Sequence, residues 1–365
     1  MLAAILALRL FLMHSRHAGN HTTLKEPVSI LKPLYRDNPH LESCLRTFCT
    51  LDYPVYQIIF GIQDPNDPAR AVAERLRDQF PQRDIQVVVT PKSIGLNPKI
   101  NNLAGMLPAA RHPWLVISDS DIRVNSDYLS RVALPLADRD LGLVTCLYGG
   151  LAGAGRWSQL GSLFINDWFV PSVCMAWALR SRAFAFGATL ALRRETLDRI
   201  GGFEILANTL ADDYRLSERI RRLGLKVQLS PANVETVVTE GTFSTLWRHE
   251  LRWLRTIRFV NPLGFSFAWI TLGLPCILLG TLLSGGPPIA WWGFLVASIF
   301  RLVLHYQSAH VLDVKPGPIW LVPLRDFLTL GVWLTSFMSR HVVRHDRKLH
   351  VHAGELLDEH PGELR

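Results

Sequence analysis

Between Val28 and Leu147 short apolar runs alternate with amphipathic stretches, and few folds accommodate that alternation. Val28–Leu34, Tyr56–Gln63, Asp84–Thr90, Trp114–Asp119 and Leu141–Leu147 read as strands, and intervening stretches such as Ala69–Phe80 have helical spacing. Strands alternating with helices specify the α/β class: a doubly wound, mostly parallel sheet whose ligands bind outside the carboxyl ends of the strands. Asp64 and Asp119 fall at such ends.

Beyond Phe259 the character changes. Leu263–Leu283, Ile289–Leu304 and Ile319–Met338 are long apolar segments separated by Gly/Pro-rich or polar turns, the pattern of membrane-spanning or membrane-embedded helices. With 48% apolar residues over 365 positions, the composition fits a globular domain joined to such segments. Arg325 and Asp326 lie inside the last segment, where charge is costly, so an intramembrane ion-pair feature is expected there. Leu2–Met13 carries Arg9, is shorter than the roughly 20 residues of a full span, and lacks a small-residue cleavage site. It reads as the end of an anchor helix. Three full spans would put the basic stretch Arg340–Lys348 across the membrane from the globular domain, against the positive-inside tendency, so one segment is expected to be re-entrant or interfacial. The nearly charge-free turn Ser284–Pro288 suits the non-cytoplasmic side and leaves the globular domain cytoplasmic. The expected organisation is a partial anchor and linker over 1–27, an α/β domain over 28–241, a basic-aromatic interfacial helix over 242–262, membrane helices over 263–338 and a polar tail over 339–365.

The formal charge of +8 admits nucleic acid, anionic lipid or an anionic nucleotide as partner. Because the basic residues cluster beside the apolar segments, nucleic-acid binding is disfavoured. The five cysteines, Cys44, Cys49, Cys146, Cys174 and Cys276, are odd in number and lack metal-ligand spacing, so they read as reduced core residues.

The sharpest chemical signal is Val116-Ile117-Ser118-Asp119-Ser120-Asp121, an apolar strand delivering two carboxylates two residues apart. Hard divalent cations take such oxygen ligands and complete their shell with phosphate oxygens. A solvated polar turn has the same residues, so context matters. Gly61-Ile62-Gln63-Asp64 ends an earlier strand in a third carboxylate, and Leu210-Ala211-Asp212-Asp213-Tyr214 places two more before the helix Arg215–Leu223. Asp212 reads equally well as a helix cap. Arg248–Arg255 puts basic and aromatic residues just before the apolar region, in composition a juxtamembrane helix drawn to anionic lipid.

In this order the motifs resemble those of ceramide glucosyltransferases and the related bacterial hopanoid-biosynthesis-associated glycosyltransferases, from about Val28 to Arg258. The carriers are Ser29-Ile30-Leu31-Lys32-Pro33-Leu34, Gln63-Asp64-Pro65, Asn97-Pro98-Lys99-Ile100-Asn101-Asn102-Leu103, Asp119-Ser120-Asp121-Ile122-Arg123-Val124, Gly187-Ala188-Thr189 with Arg193-Arg194-Glu195, Asp212-Asp213-Tyr214, and Arg252-Trp253. The resemblance implies a GT-A nucleotide-sugar-binding domain followed by a C-terminal membrane helical region. It also implies a role for each matching position. Asp64 contacts the nucleoside. Asp119 and Asp121 form the Asp-x-Asp site for Mn²⁺ or Mg²⁺, with Asp121 the better metal ligand and Asp119 nearer the ribose or sugar. Asp213 is the general base, Lys99 and Arg252 are diphosphate partners, and Trp253 is a packing wall. His249 stands where the family usually has Gln or Arg, which leaves its part in donor binding open; its imidazole can donate or accept a hydrogen bond.

The expected activity is inverting, metal-dependent transfer of a hexosyl group from a UDP-sugar to the hydroxyl of a membrane lipid, by a multi-pass protein of the bacterial inner membrane. Gly142–Tyr148 and Leu246–Trp253 are more similar to the hopanoid-associated branch, which implies UDP-N-acetylglucosamine as donor and a bacteriohopanetetrol-type acceptor. The alternatives are ceramide glucosylation from UDP-glucose, a processive polysaccharide synthase and a non-catalytic nucleotide-sugar-binding membrane scaffold. The retained carboxylates Asp64, Asp119, Asp121 and Asp213 argue against the scaffold.

Overall fold

The computed structural model describes residues 1–17, 26–36, 38–181, 184–339, 341–344, 347–352 and 355–358. Linker residues 18–25, Arg340 and tail residues 359–365 lie outside them. In chain order the first elements are α1 (Leu2–His17), β1 (Val28–Leu34), α2 (Leu41–Cys49), β2 (Tyr56–Ile62), α3 (Ala69–Gln79), β3 (Asp84–Val89), α4 (Pro98–Met106) and β4 (Trp114–Ile117). Next come β5 (Ile122–Arg123), α5 (Tyr128–Ala133), β6 (Leu141–Ala152), α6 (Arg156–Phe164), α7 (Val170–Ala178), β7 (Leu190–Arg193), α8 (Arg194–Arg199), α9 (Asp212–Arg222) and β8 (Lys226–Val238).

These strands form one eight-stranded sheet in the order β3-β2-β1-β4-β7-β6-β8-β5. The half expected from the sequence is parallel: β1 pairs with β2 and β4, and β2 with β3. Beyond β4 the sheet is mixed. β7 enters antiparallel between β4 and β6, β6 and β8 run parallel, and β5 closes the edge antiparallel to β8. The mostly parallel expectation therefore holds for one half only. β5 and β7 are too short for an alternation to register, and β8 carries Pro231, which cannot donate to a ladder. The β6–β8 register jumps there, from Cys146↔Ser230 to Leu147↔Asn233, leaving Pro231 and Ala232 as a bulge.

Helices cover both faces for ordinary reasons of pattern and capping. Leu41, Cys44, Leu45 and Phe48 give α2 one buried stripe at i, i+3, i+4 and i+7. Asn97 caps α4 by accepting from the Ile100 N–H at 3.3 Å, and Pro98 takes the first helical position, where a missing N–H costs nothing.

The C-terminal region comprises α10 (Phe243–Val260), α11 (Pro262–Ser266), α12 (Gly273–Leu283), α13 (Pro288–Leu312) and α14 (Leu321–Ser336). The segment expected as Leu263–Leu283 is broken: after α11 the chain makes a 3₁₀ turn at Ala268–Thr271, and α12 begins only at Gly273. The expected Ile289–Leu304 runs on to Leu312, with Arg301 paired inside the protein to Asp326 and Asp167. Among the described residues Pro288–Leu312 is the one helix long and apolar enough to cross a membrane. At 1.5 Å per residue its 25 residues reach about 37 Å, whereas the 16 of α14 reach about 24 Å against a hydrocarbon core of about 30 Å. α1 packs on α7 and α13, with Leu8 and Phe11 buried and Gln307 Nε2 donating to the Ile5 carbonyl at 2.9 Å. Apolar side chains of α1, α12, α13 and α14, among them Leu6, Leu283, Trp292 and Leu334, remain exposed.

Two buried ion-pair systems tie these helices to the sheet layer. Arg325 and Asp326 take different partners. Arg325 forks onto Glu250 of α10 (Nη1–Oε1 2.6 Å, Nη2–Oε2 2.9 Å) and also donates to the Leu160 carbonyl and to Thr329 Oγ1. Asp326 receives Arg301 at 2.8 Å through both Nε and Nη2, while Arg301 Nη1 and His305 Nδ1 reach Asp167 in the π-helical turn Ile165–Phe169. The tail includes an antiparallel sheet of β9 (His341–Arg344), β10 (Arg347–His352) and β11 (Glu355–Asp358). Leu356 of β11 buries against Leu210, beside Leu96 and Phe259, and its N–H donates to the Asn208 carbonyl at 2.8 Å. A tail expected to be merely polar thus docks on the loop that leads into α9.

Removing one member of a buried pair strands the other charge. Arg325→Met is expected to destabilise the protein by about 3–5 kcal/mol, and Arg325→Met with Glu250→Leu to recover most of that loss. Denaturant unfolding in detergent micelles, followed by tryptophan fluorescence, measures both.

Candidate active site

A cleft of about 660 Å³ opens at the carboxyl ends of β1 and β4, bounded on its far side by α6 and α10. Of the expected site residues, Lys99, Asp119, Asp121, Asp213, His249, Arg252 and Trp253 line it. Asp64 does not. It is exposed, its Oδ1 accepts from the Asn66 N–H at 2.9 Å, and its neighbour Gln63 takes the place on the wall.

The acidic turn is shaped by what lies beneath it. β4 stops at Ile117, and the turn Ser118–Asp121 closes when the Ile122 N–H donates to the Asp119 carbonyl. Under it Lys32 of β1 is fully buried: its Nζ donates to the Asp119 carbonyl and to Ser118 Oγ, and it sits 3.8 Å from the Phe48 ring centroid. Burial pushes the Lys32 amine down to about 7, against the pull of Asp121. Asp121 is half-buried and accepts from Thr236 Oγ1 at 2.8 Å. Burial first, then the Asp119 charge, raises its carboxyl above the usual range.

Opposite the turn, Lys99 binds Asp119 Oδ1 at 2.6 Å and lies 3.6 Å from Asp212 Oδ2. Burial works to lower the Lys99 amine, but Asp119 and Asp212 outweigh it and hold the group above its ordinary value. Asp212 is turned inward, where Asn97 Nδ2 donates to its Oδ1 at 3.1 Å, and Ala211 holds the N-cap position of α9. Asp213 points into the cleft. Its Oδ2 accepts from the Gly187 N–H at 3.0 Å and its Oδ1 from the Tyr214 N–H at 2.8 Å. Burial, helped by the neighbouring Asp212 charge, raises the Asp213 carboxyl to about 6.

The far wall combines apolar and aromatic side chains with the polar His249 and Arg252 of α10. Phe164 and Ile165 face Leu246 and Trp253 of α10, with Phe164 and Trp253 ring centroids 5.9 Å apart. α10 starts at a reciprocal cap between Thr242 and Thr245, which fixes where its turns begin. His249 packs edge-on against Trp253 at 4.5 Å, and its Nδ1 hydrogen-bonds Glu240 Oε1. Sequence reasoning missed Glu240, Thr236 and Tyr148 on the wall. Thr236 and Glu240 lie on or just beyond β8, the strand that Pro231 disguised, and Tyr148 lies on the unread extension of β6.

A family model for Glycosyl transferase family 21 matches residues 1–357. Ceramide glucosyltransferase 3 of Caenorhabditis elegans is 26% identical over 273 residues, 70% of this chain and 58% of that protein. Ceramide glucosyltransferase 1 of the same organism is 25% identical over 328 residues, 84% of this chain and 65% of that protein. The chain thus spans about three fifths of the length of these relatives. Among solved structures, the mannosyltransferase PcManGT of Pyrobaculum calidifontis, in complex with GDP-Man and Mn²⁺, superposes with a TM-score of 0.56 at 16% identity. The match covers 92% of this chain and 96% of that one. That likeness is one of fold: the chain has the α/β GT-A architecture.

The raised Asp213 carboxyl has a measurable sign. A carboxyl whose folded value lies above its unfolded one favours the native state fully at pH below the unfolded value of about 4 and loses that contribution as pH rises through about 6. Relative to wild type, Asp213→Asn should therefore gain about 1–3 kcal/mol between pH 4 and pH 8, whatever offset the lost hydrogen bond adds. Thermal unfolding of both proteins across that range, without divalent ions, checks the slope.

Proposed function

The chain belongs to glycosyl transferase family 21, and from that premise we propose that it is a membrane-bound, inverting lipid glycosyltransferase. Its donor is a UDP-sugar, N-acetylglucosamine in the preferred form, and its acceptor is a hydroxyl of a bacteriohopanetetrol-type lipid. The observation that carries this reading is the two-sided cleft: Lys99, Asp119, Asp121 and Asp213 on one wall, Phe164, Ile165, Leu246 and Trp253 on the other. A charged donor suits the first and an amphipathic acceptor the second. The ceramide glucosyltransferase relatives support a lipid acceptor, and the exposed apolar side chains of α1, α12, α13 and α14 support a bilayer beside the second wall. In this arrangement α13 crosses the membrane, the shorter helices sit embedded against it, and the α/β layer lies on the cytoplasmic side.

Asp213 takes the proton of the attacking hydroxyl. Its carboxylate is steadied by the Gly187 and Tyr214 N–H groups, and its raised value makes it a better base than an ordinary surface aspartate. Lys99 and Arg252 face the diphosphate and offset the charge that grows on it as the glycosidic bond breaks. Attack from the face opposite the diphosphate inverts the anomeric centre, and no protein nucleophile is required.

Asp119 and Asp121 suit a divalent cation. Both are hard oxygen donors, and positive charge between them would offset the burial and the Asp119 repulsion that raise Asp121. Among the described residues no group of three metal-binding side chains converges, so phosphate oxygens and water must complete the shell, as Mg²⁺ commonly requires. When bound, the ion neutralises charge on the diphosphate.

Turnover should cease in excess chelator and return with Mn²⁺ or Mg²⁺; full activity in chelator would end the metal assignment. Asp213→Asn should bind the UDP-sugar as wild type does yet lose about 10²–10⁴ in kcat. Near-normal turnover would move the base to Asp212. Product mass spectrometry in liposomes, pairing bacteriohopanetetrol or ceramide with UDP-N-acetylglucosamine or UDP-glucose, tests the substrates. Exclusive glucosylation of ceramide would favour the reading that the curated relatives support.

A further inference from the structure

We propose that Glu240 and His249 form a hydroxyl-binding dyad on the acceptor side of the cleft. In it Glu240 holds the proton on His249 Nδ1 and turns the bare Nε2 toward the acceptor, where it receives a hydrogen bond from a hydroxyl of the lipid head. The inference rests on the lipid-transferase reading and assigns a subsite within it.

The geometry distinguishes this pair from an ordinary ion pair. The Glu240 side chain is 10% exposed while the His249 ring is 35% exposed, and both line the cleft. The carboxylate lies behind and the imidazole faces the space. Glu240 Oε1 binds His249 Nδ1, whereas Glu240 Oε2 is buried without a hydrogen-bond partner among the described residues. Burial works to raise the Glu240 carboxyl, but contact with His249 first, and then the backbone N–H groups of Glu240 and Thr239, hold the group below the usual range. The ring is also fixed in space. Trp253, one turn on, meets it edge-on, and the Glu250–Arg325 fork at the adjacent position stops α10 from rotating.

The chemistry of the dyad selects its ligand. A neutral imidazole protonated on Nδ1 offers only a lone pair at Nε2, so it takes a donor such as a hydroxyl and cannot bind a phosphate oxygen. The nearby negative charge of Glu240 repels a phosphate as well. The diphosphate therefore belongs with Lys99 and Arg252, and His249 belongs with the polyol.

The tautomer can be read without turnover. In ¹⁵N-histidine-labelled protein in detergent micelles, with the resonance assigned by His249→Gln, His249 should carry its proton on Nδ1, and Glu240→Ala should abolish that preference. Should Glu240→Ala fail to fold, Glu240→Gln serves, with a weaker shift in the same direction. Kinetically, His249→Ala should raise the acceptor KM about tenfold, the worth of one hydrogen bond, and leave UDP affinity within about twofold. His249→Gln should restore most of the loss, since its carbonyl accepts a hydroxyl proton. An Nε2-protonated ring in the wild type would overturn the dyad. So would His249→Ala weakening UDP binding while leaving the acceptor KM unchanged. Absence of any lipid product from the wild type would count against the lipid-transferase reading, while the tautomer would still be decided by the spectrum.

Discussion

The fork between Arg325 and Glu250 is the interaction on which the arrangement of the cleft depends. Both side chains are buried, so each has lost its hydration, and only a two-point contact with further hydrogen bonds can compensate for that loss. The further bonds are present: the Leu160 carbonyl and Thr329 Oγ1 take two more N–H donors, and the Phe164 ring lies 5.3 Å from the guanidinium carbon. Because the guanidinium touches α6, α10 and α14 together, it sets one rotation of α10 about its axis. His249, Arg252 and Trp253 share that helix, so their presentation to the cleft follows from an ion pair on a neighbouring turn. Arg301 does the same for the π-helical turn after α6 by joining Asp167 to Asp326. The apolar helices therefore position one whole wall of the site as well as carrying the exposed apolar surface.

The opposite wall is held by the reverse device, an excess of negative charge arranged around fixed cations. Asp119 and Asp212 both reach Lys99, at 2.6 and 3.6 Å, Asp121 and Asp213 line the cleft beside them, and Lys32 lies buried beneath the turn. Lys32 donates to a backbone carbonyl and a hydroxyl instead of a carboxylate, so its work is to shape the turn. Lys99 binds carboxylates directly and keeps the cluster compact while leaving Asp121 and Asp213 raised. A site poised in this way has binding and proton-accepting capacity that a fully neutralised cluster would lack.

Legibility in the sequence followed the length and continuity of each signal. β1, β2 and β3 run six or seven residues between turn residues and match their expected bounds within one residue. β5 and β7 are too short to show a period, and Pro231 hid β8, so the mixed half of the sheet and the wall residues Thr236 and Glu240 went unread. Residue chemistry exposed the carboxylate pairs. It could not show that Asp64 would spend an oxygen on the Asn66 N–H outside the cleft wall, nor that Asp212 would turn inward to Asn97. Adjacent Arg325 and Asp326 invited an ion-pair reading, yet on a helix consecutive side chains diverge by about 100°, and each found its partner on another helix.

The two halves of the acidic wall come from distant parts of the chain and meet at one residue. Gly187 donates its N–H to Asp213 Oδ2, and a Cβ placed on it would lie 2.8 Å from both Asp119 Oδ2 and Lys99 Nζ. Any side chain there would push against the Lys99–Asp119 pair from the position that steadies Asp213. Its backbone shows no left-handed strain, so glycine is needed here for close approach alone. The same bare Cα lets the Asp-x-Asp turn and the start of α9 share one cation. That contact makes the two carboxylate pairs a single electrostatic unit rather than two separate sites.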